Sequence, residues 1–263
     1  MYLSMVVFEE CLAEYHPRMT GHSDLIKIKF MGVQEAMEGQ EYLPDHMLLE
    51  HVEYFVSHPV PAAWGCLCIG EPPEDLFKNN ICLIFPENTD RTSLYHDVQK
   101  IFFLYNSWEM EIRKAMQRNA TLEEMCNLCI PIFEKPIFIH DRNNELLAIA
   151  NEMAGQFSWQ YDETFDKYYL PLEILNTFKS SDEYHKTLHT YGAHVFSAKA
   201  TGYRTLYVNL RIEWVYVGRV CLDEIGTPIR KRDYELLEFF ADNIALAMQQ
   251  GMLLVSDVSN VLS

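Results

Sequence analysis

Residues 137–151 read IFIHDRNNELLAIAN. An apolar run, Ile137–Ile139, meets the polar stretch His140-Asp141-Arg142-Asn143-Asn144, and a second apolar run follows from Leu146 to Ala150. Asp and Asn at the centre are turn formers, because their short side chains bond their own backbone and they tolerate left-handed geometry. The stretch therefore predicts a β-hairpin with a polar tip. What precedes and follows the hairpin decides the fold.

Upstream, residues 92–119 carry no Pro or Gly. Leu94, Val98, Ile101, Phe102, Tyr105, Trp108, Ile112 and Met116 recur at steps of three or four, which predicts one long helix with a continuous apolar stripe. Phe103 and Leu104 lie off that stripe. Such a helix between two domains can pack on its own chain or on a copy of itself, and a homodimer through residues 92–119 is expected. A second helix is expected from Thr121 to about Phe133, with Thr121 as N-cap and Glu123 and Glu124 in its first turn. Downstream, residues 155–194 are polar and aromatic with weak periodicity. Three strand-like runs follow, His194–Ala198, Tyr203–Arg211 and Glu213–Leu222, and then a helix from Asp233 to Met248. The order helix, hairpin, aromatic region, strands, helix implies an antiparallel sheet flanked by helices on one side.

Before residue 92 the pattern changes. Residues 5–16 suggest a short amphipathic helix and Ile26–Phe30 alternate like a strand. Residues 46–56 read as a helix with Leu48, Val52, Phe55 and Val56 on one face. Short apolar runs at Trp64–Ile69 and Ile81–Phe85 read as buried strands on either side of a short helix near Leu76. This describes a small α/β domain. The fold class is α/β (α+β), divided into an N-terminal domain (1–91), a linker and dimerisation helix (92–119), a sensor domain (120–250) and a tail (251–263).

Composition excludes several functions. The chain has 263 residues, 49% of them hydrophobic, which is ample for packed cores. Its net charge is −17, and up to His96 there are 15 acidic against 5 basic residues, a net of −10. Nucleic-acid affinity rests on Lys and Arg neutralising phosphates, so no nucleic-acid binding by this chain is expected. No apolar run approaches a membrane span, and MYLSMVVFEECLAEYH is no signal peptide, since it lacks a basic start and meets acids early. A cytoplasmic location without membrane association is expected. Seven cysteines, including Cys66-x-Cys68 and Cys126-x-x-Cys129, do not assemble into a four-Cys metal pattern and read as reduced, buried thiols.

Chemistry is sparse. His185 and His189 stand four apart with Glu183 and His194 nearby, a spacing that can hold zinc, but Lys186-Thr187-Leu188 between them supplies no general base. No nucleophile elbow or phosphate loop is present. No catalytic residue, cofactor or metal is expected. The aromatic segment is more informative. Trp159, Tyr161, Tyr168, Tyr169, Tyr191, Tyr203 and Tyr207, with Arg204, combine apolar bodies and polar tips that could enclose a planar small molecule. The same side chains could equally complete the core.

The run LYHDVQKIFFLYNSWEMEIRKAMQRNATLEEMCNLCIPIFEKPIFIHDRNNELLAIANE (94–152), together with GTPIRKRDYELLEFFADNIALAMQ (226–249), resembles PucR-type bacterial transcriptional regulators. Pro136-Ile137-Phe138-Ile139-His140-Asp141 followed by Leu146-Leu147-Ala148-Ile149 is similar to the entry into the GAF-like sheet of that family. The resemblance implies an N-terminal α/β domain, a long helix and a GAF-like domain that binds a small-molecule effector. It also implies a C-terminal helix-turn-helix, for which the 13 residues from Gly251 have no room, so the chain is either a sensory fragment or acts without its own DNA reader. The alternatives are a dimerising scaffold that binds no metabolite and, third, a metal-dependent enzyme using His185 and His189.

Overall fold

The computed structural model describes residues 1–21, 23–35 and 41–251. The chain divides into two compact units, Met1–Glu109 and the remainder from Met110. The fold class is mixed α/β, with antiparallel sheets and helices. Beyond Gly251 the expected tail lies outside the described residues.

In the first unit the order is β1 (Leu3–Ser4), α1 (Met5–Cys11), a 3-10 turn (Ala13–Tyr15) and β2 (Arg18–Thr20). A second 3-10 turn (Ser23–Lys27) leads to β3 (Lys29–Phe30), β4 (Gly32–Glu35), β5 (His46–His51) and α2 (Val52–Ser57). Then come β6 (Gly65–Ile69), α3 (Glu74–Asn79), β7 (Ile81–Phe85) and the start of α4 (Arg91–Gln117). β4, β5, β6 and β7 run parallel, and β2 closes one edge antiparallel to β7. All five residues of β6 and of β7 are buried, which is why these strands read as unbroken apolar runs.

Two expectations fail here. Residues 46–56 are not one helix: Met47, Leu48 and Leu49 are buried consecutively in a parallel strand, and the helix starts only at Val52. A short apolar run carries no period by which to separate the two. The alternation at Ile26–Phe30 yields only the two-residue β3, because Ser23–Lys27 coil into a 3-10 turn and Phe30 alone enters the core, opposite Leu3.

In the second unit α4 ends and is followed by α5 (Leu122–Asn127), α6 (Ile130–Phe133), β8 (Ile137–Asp141) and β9 (Leu146–Ala150). β10 (Gln160–Asp162), β11 (Lys167–Tyr169), α7 (Leu172–Lys179) and α8 (Asp182–Thr187) follow. β12 (Ala193–Phe196), β13 (Thr205–Ile212), β14 (Val215–Asp223) and α9 (Lys231–Gln249) complete it. The sheet order is β12-β13-β14-β8-β9, every pair antiparallel. The hairpin 137–151 thus lies beside the last strand, and β8 is a central strand.

Thr121 and Glu124 close a reciprocal capping box on α5: the Glu124 N–H donates to Thr121 Oγ1 at 3.1 Å and the Thr121 N–H to Glu124 at 3.0 Å. The single helix expected over 121–133 is broken into α5 and α6, with Pro131 in the first turn of the second. The turn of the β13–β14 hairpin takes Glu213 and Trp214 at φ 49° and 71°, so β14 begins later than expected, at Val215.

Side chains alternate between the two sheet faces. One face carries Ile137, Ile139, Leu206, Val208, Val220 and Leu222, and is covered by α5 and by α9 through Leu237, Phe240 and Ile244. The other face carries Phe138, Tyr207 and Cys221, which pack with Ile174 and Phe178 of α7 and Tyr184 of α8. Helices therefore cover both faces, not one. The segment expected to be irregular supplies the second cover.

Candidate functional site

Between the second face and its cover lies a cavity of about 40 Å³. Its floor is the sheet: Phe138 and His140 from β8, Thr205 and Tyr207 from β13, Arg219 and Cys221 from β14. Register fixes this set, because Phe138 stands opposite Cys221, His140 opposite Arg219, and Tyr207 opposite Cys221 on its other side. The roof is Phe178, Tyr184 and Phe196, with Phe157, Leu170 and Thr201 at the margins. Phe178 stacks on Tyr184 at 4.4 Å and meets Phe196 edge-on at 5.3 Å. Gly218 makes the floor possible: a Cβ there would run into the His140 carbonyl oxygen.

Arg219 is the unusual member. It is 4% exposed, in the middle of β14, whose other charged residue is the terminal Asp223. Its Nε donates to the Tyr216 hydroxyl at 3.3 Å and one Nη to Thr187 Oγ1 at 3.1 Å. Its guanidinium carbon lies 4.7 Å from the Tyr207 ring centre, 5.4 Å from that of Tyr184 and 5.7 Å from that of Tyr216. Cation–π contacts recover part of the desolvation cost of a buried charge. No Asp or Glu lines the cavity.

The neighbouring titratable groups are held neutral. Burial, and after it the Arg219 charge, lowers the His140 imidazole to about 3; its Nδ1 is 2.8 Å from the Asp141 carbonyl oxygen. Burial raises the Tyr216 phenol to about 12 and pushes the Cys221 thiol up. At the edge, Asp223 is fully buried and accepts from Thr205 Oγ1 at 2.7 Å and Gln156 Nε2 at 3.0 Å. Burial raises this carboxyl to about 6.

The hairpin tip secures the roof. Asp141 Oδ1 accepts from the Asn143 and Glu145 N–H groups, each at 2.8 Å. Asn144, at φ 65°, accepts at its carbonyl from the Leu170 N–H and at Oδ1 from the Tyr184 hydroxyl, both at 3.2 Å. Asn209 of β13 ties the end of α8, donating to the Thr187 carbonyl at 2.7 Å and that of Thr190 at 3.1 Å.

Of the residues singled out from sequence, Tyr207 lines the cavity. Trp159 packs behind it against Phe138 and Phe157, at 5.4 and 5.2 Å between ring centres. Tyr203 holds the Phe157 N–H at 3.5 Å beside Asp223. Tyr161 and Tyr168 pair across β10–β11 and are half exposed, and Tyr169 is half-buried on the same strand pair. Tyr191 is exposed beneath Arg211. Arg204 is exposed and engages Glu224 through two nitrogens, one bond measuring 2.6 Å. His185 and His189 are both exposed, and α8 ends before His189. Among the described residues no group of three His, Cys, Asp or Glu is placed to hold a metal ion. Arg219, His140, Thr187, Tyr184 and Cys221 were not anticipated. The available signal was the Arg inside WVYVGRVCL, a charge in the middle of an apolar and aromatic run.

No family model and no curated protein sequence matches the chain. Among solved structures, similarity is found to the GAF domain of the nutrient sensor CodY from Clostridium difficile, at 12% identity and TM-score 0.39, covering 55% of this chain and 97% of that one. The phycoerythrobilin-bound GAF domain of a cyanobacterial phytochrome is similar at 9% identity and TM-score 0.41, covering 55% and 94%. A free methionine-R-sulfoxide reductase from Neisseria meningitidis, in complex with its substrate, is similar at 13% identity and TM-score 0.38, covering 62% and 94%.

Proposed function

We propose that the second unit is a GAF-like module that senses a small-molecule effector in the cavity over Phe138, Tyr207 and Arg219, within a regulator of PucR-like layout. The observation that carries this reading is the cavity itself: an aromatic chamber on one sheet face into which a few polar groups converge, which is the lining chemistry of a small-molecule site in a space of about 40 Å³, well below that of a drug-sized pocket. Its thiol, Cys221, is held protonated by burial, and only the thiolate is a nucleophile. Binding is therefore favoured over redox or nucleophilic chemistry.

The route of the signal is short. β13 and β14 present Tyr207, Arg219 and Cys221 to the cavity and the intervening residues to the helix cover on the other face. A ligand that favours one placement of these strands favours one seating of α9, and it shifts the population only by its differential affinity for the two. α9 ends at Gln249 and leads toward a C-terminal DNA-binding module of the full regulator, in the cytoplasm. No helix among the described residues is long and apolar enough to cross a membrane.

A homodimer through α4 is part of the same proposal. The stripe Leu94, Val98, Ile101, Tyr105, Trp108 and Ile112 is already buried. The seam would instead be Phe103, Leu104 and Met110, which are exposed.

A thermal-shift screen of the chain with purines, ureides, amino acids and short acids tests the sensing role. Hits should raise Tm by several degrees and lose that effect in Cys221→Met, which fills the cavity. No stabilisation by any compound would favour the scaffold reading.

A further inference from the structure

The polarity of the cavity constrains what enters it, given that it is the sensing site. Guanidinium has five N–H donors in a planar fork. Nε and one Nη of Arg219 are engaged by Tyr216 and Thr187, while its other Nη makes no hydrogen bond among the described residues. The rings of Tyr184, Tyr207 and Tyr216 lie around it. His140, the nearest titratable group across the strand pair, is neutral, and Arg219 has no ion pair among the described residues. A buried cation with no anionic partner is an expensive arrangement that a bound anion would relieve.

Shape narrows the class. About 40 Å³ accommodates about three waters, comparable to an acid of two or three carbons. A carboxylate matches the planar fork with two parallel bonds. Phe138, Phe157, Leu170, Phe178 and Phe196 give the wall an apolar stretch that suits a short hydrocarbon body. A phosphate dianion fits less well, because one cation leaves its second charge unneutralised among aromatic rings.

We propose that the cavity binds a short-chain monocarboxylate, with the carboxylate on the Arg219 guanidinium and the hydrocarbon end against Phe138, Phe178 and Phe196. A larger acid of the same kind enters only when the roof of α7 and α8 lifts.

The test uses matched probes on the full chain: sodium propionate against propionamide, at equal ionic strength made up with sodium chloride, followed by NMR of the residues lining the cavity. Propionate should shift the resonances of Phe138, Tyr207 and Cys221 in a saturable way, propionamide should bind at least tenfold more weakly, and Arg219→Met should remove that preference. The wild-type comparison needs no variant, so a failure of Arg219→Met to fold leaves the test intact. Equal binding of propionate and propionamide would overturn the anion assignment while leaving the cavity as a sensing site. No shift of the cavity resonances by either compound at 100-fold molar excess and above would overturn the assignment too. The sensing role would then stand or fall on the metabolite screen, which a neutral effector satisfies.

Discussion

Arg219 and His140 face each other across the β14–β8 pair, both almost fully buried, one a permanent cation and the other an imidazole held neutral. At the end of the same strand, Asp223 carries a carboxyl raised to about 6. These groups set how the second unit responds to acid.

The folded His140 pKa of about 3 lies below its ordinary 6.5. The unfolded chain therefore takes up a proton that the folded one refuses, and stability falls as pH drops from 6.5 toward 3. Asp223 acts oppositely. Its folded pKa of about 6 lies above its ordinary 3.8, so the folded state holds the extra proton and stability falls as pH rises from 3.8 to 6. Each slope is about 1.4 kcal/mol per pH unit, and between pH 4 and 6 they oppose each other. Urea denaturation across this range should show Asp223→Asn losing stability relative to wild type by about 1.4 kcal/mol for each unit of acidification. A pH-independent difference between the two proteins would refute the shift at Asp223.

The bond from the Tyr184 hydroxyl to Asn144 Oδ1 holds the roof to the hairpin tip. Tyr184→Phe should cost about 1 kcal/mol, with the Phe178 stacking kept. In an Asn144→Ala background the same change should cost little, because the partner is already gone. Denaturation of the four proteins in this cycle gives the coupling directly, and additive losses would deny it.

Lys135 and Asp233 form an ion pair of 2.9 Å with both side chains fully buried. Asp233 also accepts from the Arg230 N–H at 2.8 Å, so the pair joins the approach to β8 to the start of α9. Lys135→Met should cost about 3–5 kcal/mol by leaving a buried carboxylate uncompensated. The double variant Lys135→Met/Asp233→Leu should recover much of that loss. Calorimetric Tm values separate the cases, and a double variant no better than the single would show that the pair itself stabilises the fold.

Much of this architecture is legible in the sequence where a period is long. The stripe from Leu94 to Met116 and that of Tyr234 to Met248 mark α4 and α9, and Asp141-Arg142-Asn143-Asn144 marks the hairpin. Short apolar runs are not legible: His46–His51 is a strand because β4 and β6 flank it, and nothing local says so. The cavity was hidden for a related reason. Which face Arg219 takes follows from the pairing of β14 with β8, about 80 residues earlier in the chain. An isolated Arg in a strand otherwise reads as a solvent-facing position. The aromatic residues were visible as a group, but composition could not separate Tyr207 on the floor from Tyr161 and Tyr168 on an outlying hairpin.

The central claim is that an effector binds between the sheet and its α7–α8 cover. Titration calorimetry of the strongest hit from the metabolite screen, against wild type and Cys221→Met, tests it most directly. The account predicts saturable binding to wild type and a loss of about 100-fold or more in the filled variant, provided that variant melts cooperatively. Equal affinity for both proteins would place the ligand elsewhere and contradict the account.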